Sequence, residues 1–475
     1  MNTWTQDQNW WHFTGIGGIT TGQLAVALAK NGAKVTGSDE GLYEPMKSYL
    51  ATCPEIKLSN EYSFKNLIKS TYTGKEEDKY IIPGHIVALG SLPSQNKELL
   101  FAKIREIPVK HYAEVLTELV VVPNSSIVVA GSFAKSTVTG LLGTIFKTAN
   151  TEISYMCGAM LAQGQASMEN GIVLKIASSK YSVIEGDEYL SANWDKQSKF
   201  FYYCSTYLLI TGYAYDHTDL FTTPEAYFEN FKKLIEQLPQ SGMLIYNTKF
   251  PDLVELAKFA PCQTYGYLAQ DLPADLEHNL IGAFNLENLA AAFTTAKLIG
   301  VSEETIRQGI KNFKGVKRRL ETVISKELAG GKRLTVISDF GSTSGKALAA
   351  IEAISSKYPT SDLYCIFEPN LGNRTATAYK LFADQAVSIW GRCKVLFLPE
   401  FKQIPSSEIL GRDELATSVT VQLGETTKVN SLKDASEIAE VLQTEITQSS
   451  NPEIVVAILC SGEAENYISA LNTLN

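Results

Sequence analysis

At 475 residues, 45% of them hydrophobic and 20% charged, the chain is long enough for about three domains of ordinary size and too rich in core-forming residues to be disordered. A formal net charge of -9 excludes a nucleic-acid scaffold, which needs a basic face, so any anionic ligand has to be met by local positive charge. No opening stretch has the make-up of a signal peptide and no apolar run reaches bilayer length, which leaves the cytoplasm as the expected compartment with no membrane partner, and the seven scattered cysteines, without a C-x-x-C pair, read as buried small residues rather than a zinc site.

In chain order, Trp10 to Phe13 and the following GIGGITTGQLAVALAKNGAKVTGSD predict a strand, a glycine turn, a helix and a second strand. Gly15, Gly17 and Gly18 allow a tight turn and close backbone approach to a phosphate, Leu24, Ala27 and Leu28 form the packed helix face, and Asp39 ends the next strand where it would meet a ribose hydroxyl. Thr20 replaces the third glycine of the dinucleotide fingerprint, so a generic βαβ unit remains an alternative. EPMKSYL then predicts a helical start, IVALGSL a strand, and PVKHYAEVLTELVVVP a helix leading to a domain boundary near Pro123.

The next stretch, IVVAGSFAKST from Ile127 to Thr137, carries the strongest chemistry. Its β-branched run predicts a buried parallel strand, and Val138, Leu141, Leu142, Ile145 and Phe146 recur at helical spacing. Between strand and helix, Gly131 and Ser132 would line a turn whose backbone N–H groups face an anion. Lys135 would supply a point charge, Ser136 a hydroxyl for a metal ion, and Thr137 a further first-turn group. Glycine is missing from the general phosphate-loop pattern at Val129 and Ala134, and Ala134 is expected to resist positive φ. An ordinary strand-helix turn with a solvated lysine is the alternative.

Carboxylates follow at strand ends. Tyr181 to Ile184 lead into Glu185, Gly186, Asp187 and Glu188, hard oxygen ligands suited to magnesium beside phosphate. The strand Tyr207 to Thr211 leads into YDHTDLF, with His217 between Asp216 and Asp219. The competing reading there is an acidic loop capping a helix that starts at Thr223 and Pro224. GAFNLENLAAAFTTAKLIG predicts a helix on which Asn285 and Asn288 contact a base edge or cap the helix, and FKGVKRRLE concentrates Lys314, Lys317, Arg318 and Arg319 as phosphate binders or a solvated basic end. From about Leu320 the α/β alternation resumes, with Asp339 at a strand end and Lys346 and Arg374 as candidate anion binders.

Taken together and in order, HFTGIGGI with GSD, AGSFAKST, EGDEY, DKQSKF, YDHTDLF, GAFNLENLAAA, FKGVKRRLE and FEPN resemble the Mur ligase family over nearly the whole chain. EGDEY, DKQSKF and YDHTDLF look most like the branch that joins a tripeptide to UDP-N-acetylmuramate, with the branch that adds L-alanine close behind.

The resemblance implies an α/β protein of three domains. A Rossmann-like UDP-sugar domain would span 1–123, a P-loop ATPase domain 124–319, and a Rossmann-like ligase domain 320–475 that brings the amine and closes over ATP. It also implies ATP and magnesium as cofactors, and an acyl phosphate attacked by an amine. In that scheme Lys135, Glu185 and His217 are catalytic, and Ser136, Glu185 and His217 hold metal. Gly131, Ser132, Lys135, Ser136, Thr137, Asn285, Arg318 or Arg319, and Asp339 hold ATP. Gly15, Gly17, Gly18 and Asp39 hold the UDP-sugar, and Arg374 the acceptor. This sequence departs from the family pattern at Phe133 and Ala134 (usually histidine and glycine), Gly212 and Ala214 (asparagine and glutamate), Phe284 (histidine), and Gly341 to Ser344 (A-H-H-P); near Asn370 and Leu371 a family arginine is also missing. Those departures make a binding protein without turnover the alternative to an active ligase. The amine and the oligomeric state are not fixed by any motif.

Overall fold

The computed structural model describes residues 3–43, 46–71, 79–121, 124–159, 161, 174–215, 220–369, 374–401, 409–460, 462 and 464–475. The chain divides into two compact units, residues 1–278 with 287–313, and residues 279–286 with 314–475. The fold is mixed α/β with several largely parallel sheets.

The first sheet of the first unit contains β1 (Thr3–Thr14), β2 (Lys34–Ser38), β3 (Lys57–Ser59), β4 (Lys69–Thr71), β5 (Lys79–Ala88) and β6 (Val109–His111), in the order β3-β2-β1-β5-β4 with β6 also on β5. Parallel neighbours lie on both sides of β1, Phe13 facing Gly37 on β2 and Val87 on β5. The chain order therefore reverses at β1, and the glycine turn that follows it opens where α/β sheets leave a crevice. Leu24, Ala27 and Leu28 of helix Ile19–Lys30 are buried as the periodicity predicts. The segment predicted as one helix from Pro108 begins as strand β6, and only Tyr112–Leu116 and the wider turn Thr117–Val121 are helical. Pairing of Val109 with Ile86 captures those residues for the sheet edge.

The second sheet contains β7 (Ser125–Ala130), β8 (Ile153–Met156), β9 (Leu174–Lys175), β10 (Tyr181–Glu185), β13 (Tyr207–Ile210), β14 (Met243–Asn247) and β15 (Gln263–Tyr267), ordered β15-β14-β13-β7-β10-β8-β9; β11 (Leu190–Ala192) and β12 (Asp195–Ser198) form a separate ribbon. β7 is the second reversal point, with Val129 facing Glu185 on β10 and Leu209 on β13. Its Ile127, Val128, Val129 and Ala130 have no exposed surface, as a strand covered on both faces requires. Helix Lys135–Thr148 buries Val138, Leu141, Leu142, Ile145 and Phe146.

In the second unit, β16 (Glu321–Glu327), β17 (Arg333–Asp339), β18 (Asp362–Glu368), β19 (Val395–Leu398), β20 (Lys428–Ser431) and β21 (Glu453–Cys460) are ordered β16-β17-β21-β18-β19-β20, only β16 running antiparallel. The cysteines are free, and five of them are buried; Cys204 is exposed and Cys262 half-buried, against the expectation for these two. Among the described residues no helix is long and apolar enough to cross a membrane.

Candidate active site

The turn between β7 and helix Lys135–Thr148 sits at the reversal point of the second sheet. Gly131 has φ 133, and a Cβ there would lie 2.6 Å from Thr211 Oγ1 and 2.9 Å from the Gly212 carbonyl oxygen, so only glycine fits. Ala134, expected to avoid the left-handed region, occupies it at φ 66 and ψ -3 as the helix N-cap. The loop thus keeps a glycine-like backbone with an alanine in it, at a cost of about 1 kcal/mol. The remedy is Ala134→Gly, which should stabilise the protein by about 1 kcal/mol and raise its thermal midpoint by about one degree. A midpoint that fell instead would show that the methyl packs usefully.

Beyond this turn the first N–H groups of the 14-residue helix have no intrahelical acceptor and carry the positive end of its dipole. Lys135 Nζ is 2.7 Å from both the Gly131 carbonyl oxygen and Glu188 Oε2, held at the rim by an almost fully buried carboxylate. Ser136 donates its hydroxyl to Glu185 Oε1 at 2.9 Å, and Glu185 Oε2 accepts the Gly158 N–H at 2.6 Å. Cys157, 3.5 Å from the same oxygen, has its thiol pushed well up by burial and by the charge of Glu185, so it stays a neutral donor. Asp187 pairs with Lys199 at 2.7 Å; burial raises its carboxyl, but the ammonium and its hydrogen bond outweigh that and hold it below its ordinary value.

The hydroxyl of Ser136 and the carboxylate of Glu185 are hard oxygen donors that already converge, and this donor set fits magnesium. The Ser132 hydroxyl donates to the Ala214 carbonyl at 2.8 Å and its N–H to the Gly212 carbonyl at 3.0 Å, so it braces the loop. Thr137 continues the helix's first turn. His217, with Asp216 and Asp219, lies outside the described residues.

At the turn after β1, Gly15 has φ 83, and a Cβ there would meet Leu89 Cβ at 2.6 Å. The Gly17 N–H donates to Asp39 Oδ2 at 2.8 Å and the Gly41 N–H to Oδ1 at 3.1 Å. Asp39, expected at a ribose, therefore uses both oxygens to hold the turn, with Gly18 as the N-cap of the following helix.

Beneath it lies a network that residue patterns do not reveal. Glu98, fully buried, accepts from the hydroxyls of Ser38 at 2.6 Å and Thr14 at 2.7 Å, from Asn66 Nδ2 at 2.7 Å, and lies 3.1 Å from His12 Nε2. Burial alone would raise its carboxyl, but these partners pull it down from 4.5 to about 2. The one local hint is Asn96, which caps helix Lys97–Ile104 through the N–H groups of Glu98 and Leu99.

The other expected nucleotide contacts belong to the second unit. The Asn285 side-chain amide donates to the Ile281 carbonyl at 2.7 Å. Arg318, at φ 57, donates to the Cys460 carbonyl and stacks on Phe340, 4.7 Å from its ring centre; Arg319 lies 5.9 Å from the same ring. Asp339 accepts the Leu320 N–H at 2.8 Å, and burial raises its carboxyl despite Arg319 nearby. Arg374 is buried, donates to the Pro369 carbonyl at 3.2 Å and to Glu368 at 3.1 Å, and so ties down the end of β18.

Two family models match this chain, "Mur ligase family, catalytic domain" over residues 11–121 and "Mur ligase middle domain" over residues 129–279. Together they cover more than half of it. A UDP-N-acetylmuramate–L-alanine ligase of Pelagibacter ubique is 25% identical over 406 residues, spanning 78% of this chain and 80% of the relative. One of Clostridium perfringens is 24% identical over 455 residues, 90% of this chain and 91% of the relative.

Among solved structures, the fold is similar to a UDP-N-acetylmuramate-alanine ligase of Thermotoga maritima, with TM-score 0.70, 16% identity and coverage of 97% of this chain and 98% of the other. It is also similar to a murein peptide ligase of Psychrobacter arcticus, with TM-score 0.64, 20% identity and coverage of 98% and 99%. Both family models describe the segments that carry the two glycine turns, and on that ground the chain belongs to the Mur ligase family of ATP-dependent ligases.

Proposed function

We propose that this ligase joins an amino acid or peptide to the carboxylate of UDP-N-acetylmuramate through an acyl phosphate, in the building or recycling of peptidoglycan in the cytoplasm. The observation that carries the reading is the convergence of Lys135, Ser136 and Glu185 on the N-terminus of one helix at a sheet reversal point. In the proposed scheme the first-turn N–H groups and Lys135 bind and orient the triphosphate, and the ammonium offsets charge building up on the transferring phosphoryl group. Ser136 and Glu185, with His217, would hold magnesium, which supplies Lewis-acid neutralisation of phosphate charge.

Gly15, Gly17 and Gly18 would admit the UDP-sugar, their turn kept in shape by Asp39. Asn285, Arg318 or Arg319, and Asp339 would complete the nucleotide contacts. The domain limits in this proposal are 1–123, 124–319 and 320–475.

The segments EGDEY, DKQSKF and YDHTDLF support a tripeptide as the incoming amine, while the naming of the relatives supports L-alanine. ADP release from ATP and UDP-N-acetylmuramate, with L-Ala-γ-D-Glu-meso-diaminopimelate in one reaction and L-alanine in another, separates them. The tripeptide is expected to give the faster release. Release with alanine alone would reverse the assignment, and none with either would leave a UDP-sugar-binding protein without turnover.

A further inference from the structure

Phe133 and Gly212, from the turns after β7 and β13, lie against each other. A Cβ on Gly212 would fall 2.2 Å from Phe133 Cε2 and 2.5 Å from Cζ, so the ring occupies the space a side chain at 212 would need. Phe250, just beyond β14, meets the same ring edge-on at 5.5 Å between centres. The Phe133 carbonyl accepts the Thr211 hydroxyl at 2.5 Å, fixing the backbone beneath the ring. Yet 42% of Phe133 is exposed, an unusual fraction for an aromatic ring braced from two directions.

Sheet order says what lies over it. The metal-type pair Ser136–Glu185 is on the β10 flank of β7, whereas Thr211 and Gly212 follow β13 and Phe250 follows β14, on the opposite flank. With its terminal groups drawn to Lys135, Ser136 and Glu185, a triphosphate would have its nucleoside end on the β13 and β14 flank, where an open aromatic face stands two residues before Lys135.

We propose that Phe133, backed by Gly212 and Phe250, is a stacking platform for the base of the nucleotide, an affinity element of the same triphosphate site. The inference rests on the reading of this loop as a nucleotide cradle. A flat base and a phenyl face bury apolar area against each other without needing base-specific hydrogen bonds. Glycine at 212 makes room for the ring.

Calorimetric titration of the full chain with magnesium-ATP and with magnesium-tripolyphosphate, which has the phosphates and no base, tests this. Phe133→Ala is expected to weaken ATP binding roughly five- to 150-fold, to leave tripolyphosphate binding within about twofold, and to be rescued by Phe133→Trp. Phe133→Leu keeps apolar volume without a ring and should behave like the alanine variant, which guards against a packing defect. Equal losses for both ligands, or no loss for ATP, would overturn the platform. A wild-type protein that binds neither ligand would instead overturn the nucleotide cradle itself.

Discussion

Lys135→Ala should lower ADP release about a thousandfold or more, the scale seen when a preorganised positive group is removed from a phosphoryl-transfer site. The ammonium is held 2.7 Å from the Gly131 carbonyl at the mouth of the turn, from where it would swing to a phosphate bound at the helix N-terminus in the proposed reaction. UDP-sugar affinity should change little, since the glycine turn after β1 belongs to a different sheet. Removing the lysine also takes the ammonium from Glu188, a carboxylate only 1% exposed, so the variant should lose about 1–3 kcal/mol of stability as well.

Lys135→Ala combined with Glu188→Gln separates the two effects. Stability should recover because the buried charge is gone, while activity should not. A double variant that regained turnover would remove Lys135 from the chemistry and leave it a purely structural cation.

The second large effect concerns stability. Glu98→Ala should cost about 3–5 kcal/mol, because it strips the shared acceptor from half-buried Asn66 and from His12, Thr14 and Ser38, which have no exposed surface. The same network makes an acid prediction whose sign follows from the depressed carboxyl. Glu98 is drawn from 4.5 to about 2 in the folded protein, so its contribution is complete above about pH 4.5 and is lost as pH falls toward 2. A shift of that size corresponds to about 3 kcal/mol. Glu98→Gln should therefore be less stable than the parent by about 3 kcal/mol at pH 6, a gap that narrows to about 1 kcal/mol at pH 2.5, read from urea unfolding at both values. A constant gap between the two proteins across that range would mean that Glu98 does not titrate in this window.

Much of the candidate site is legible along the chain because its signals are local. The run Ile127 to Val129 and the helical spacing from Val138 to Phe146 suffice to place a strand and a helix on either side of Gly131, and the acidic end of the strand from Tyr181 follows from alternation and length. The exit of Glu185 beside Ser136 is a matter of pairing: β10 lies next to β7, 49 residues away in sequence between the bonded side chains, and that register is not written in either segment. His12 and Glu98 are 86 residues apart, and a glutamate in the first turn of a short helix gives no sign that it will be enclosed.

Residue order and type, then, are enough to say that two glycine turns, an anion-seeking helix and strand-end carboxylates are present, since each depends on backbone freedom and on periodicities of two or 3.6 residues. Packing settles what those parts do to one another. It forces Ala134 into a left-handed conformation, turns Asp39 and Ser132 inward as loop braces, folds Arg374 onto Glu368, and sets Phe133 against Gly212. Each of these outcomes depends on a neighbour brought close by the sheets, and the free energy of such contacts is decided at separations of a few ångströms that spacing along a chain does not encode.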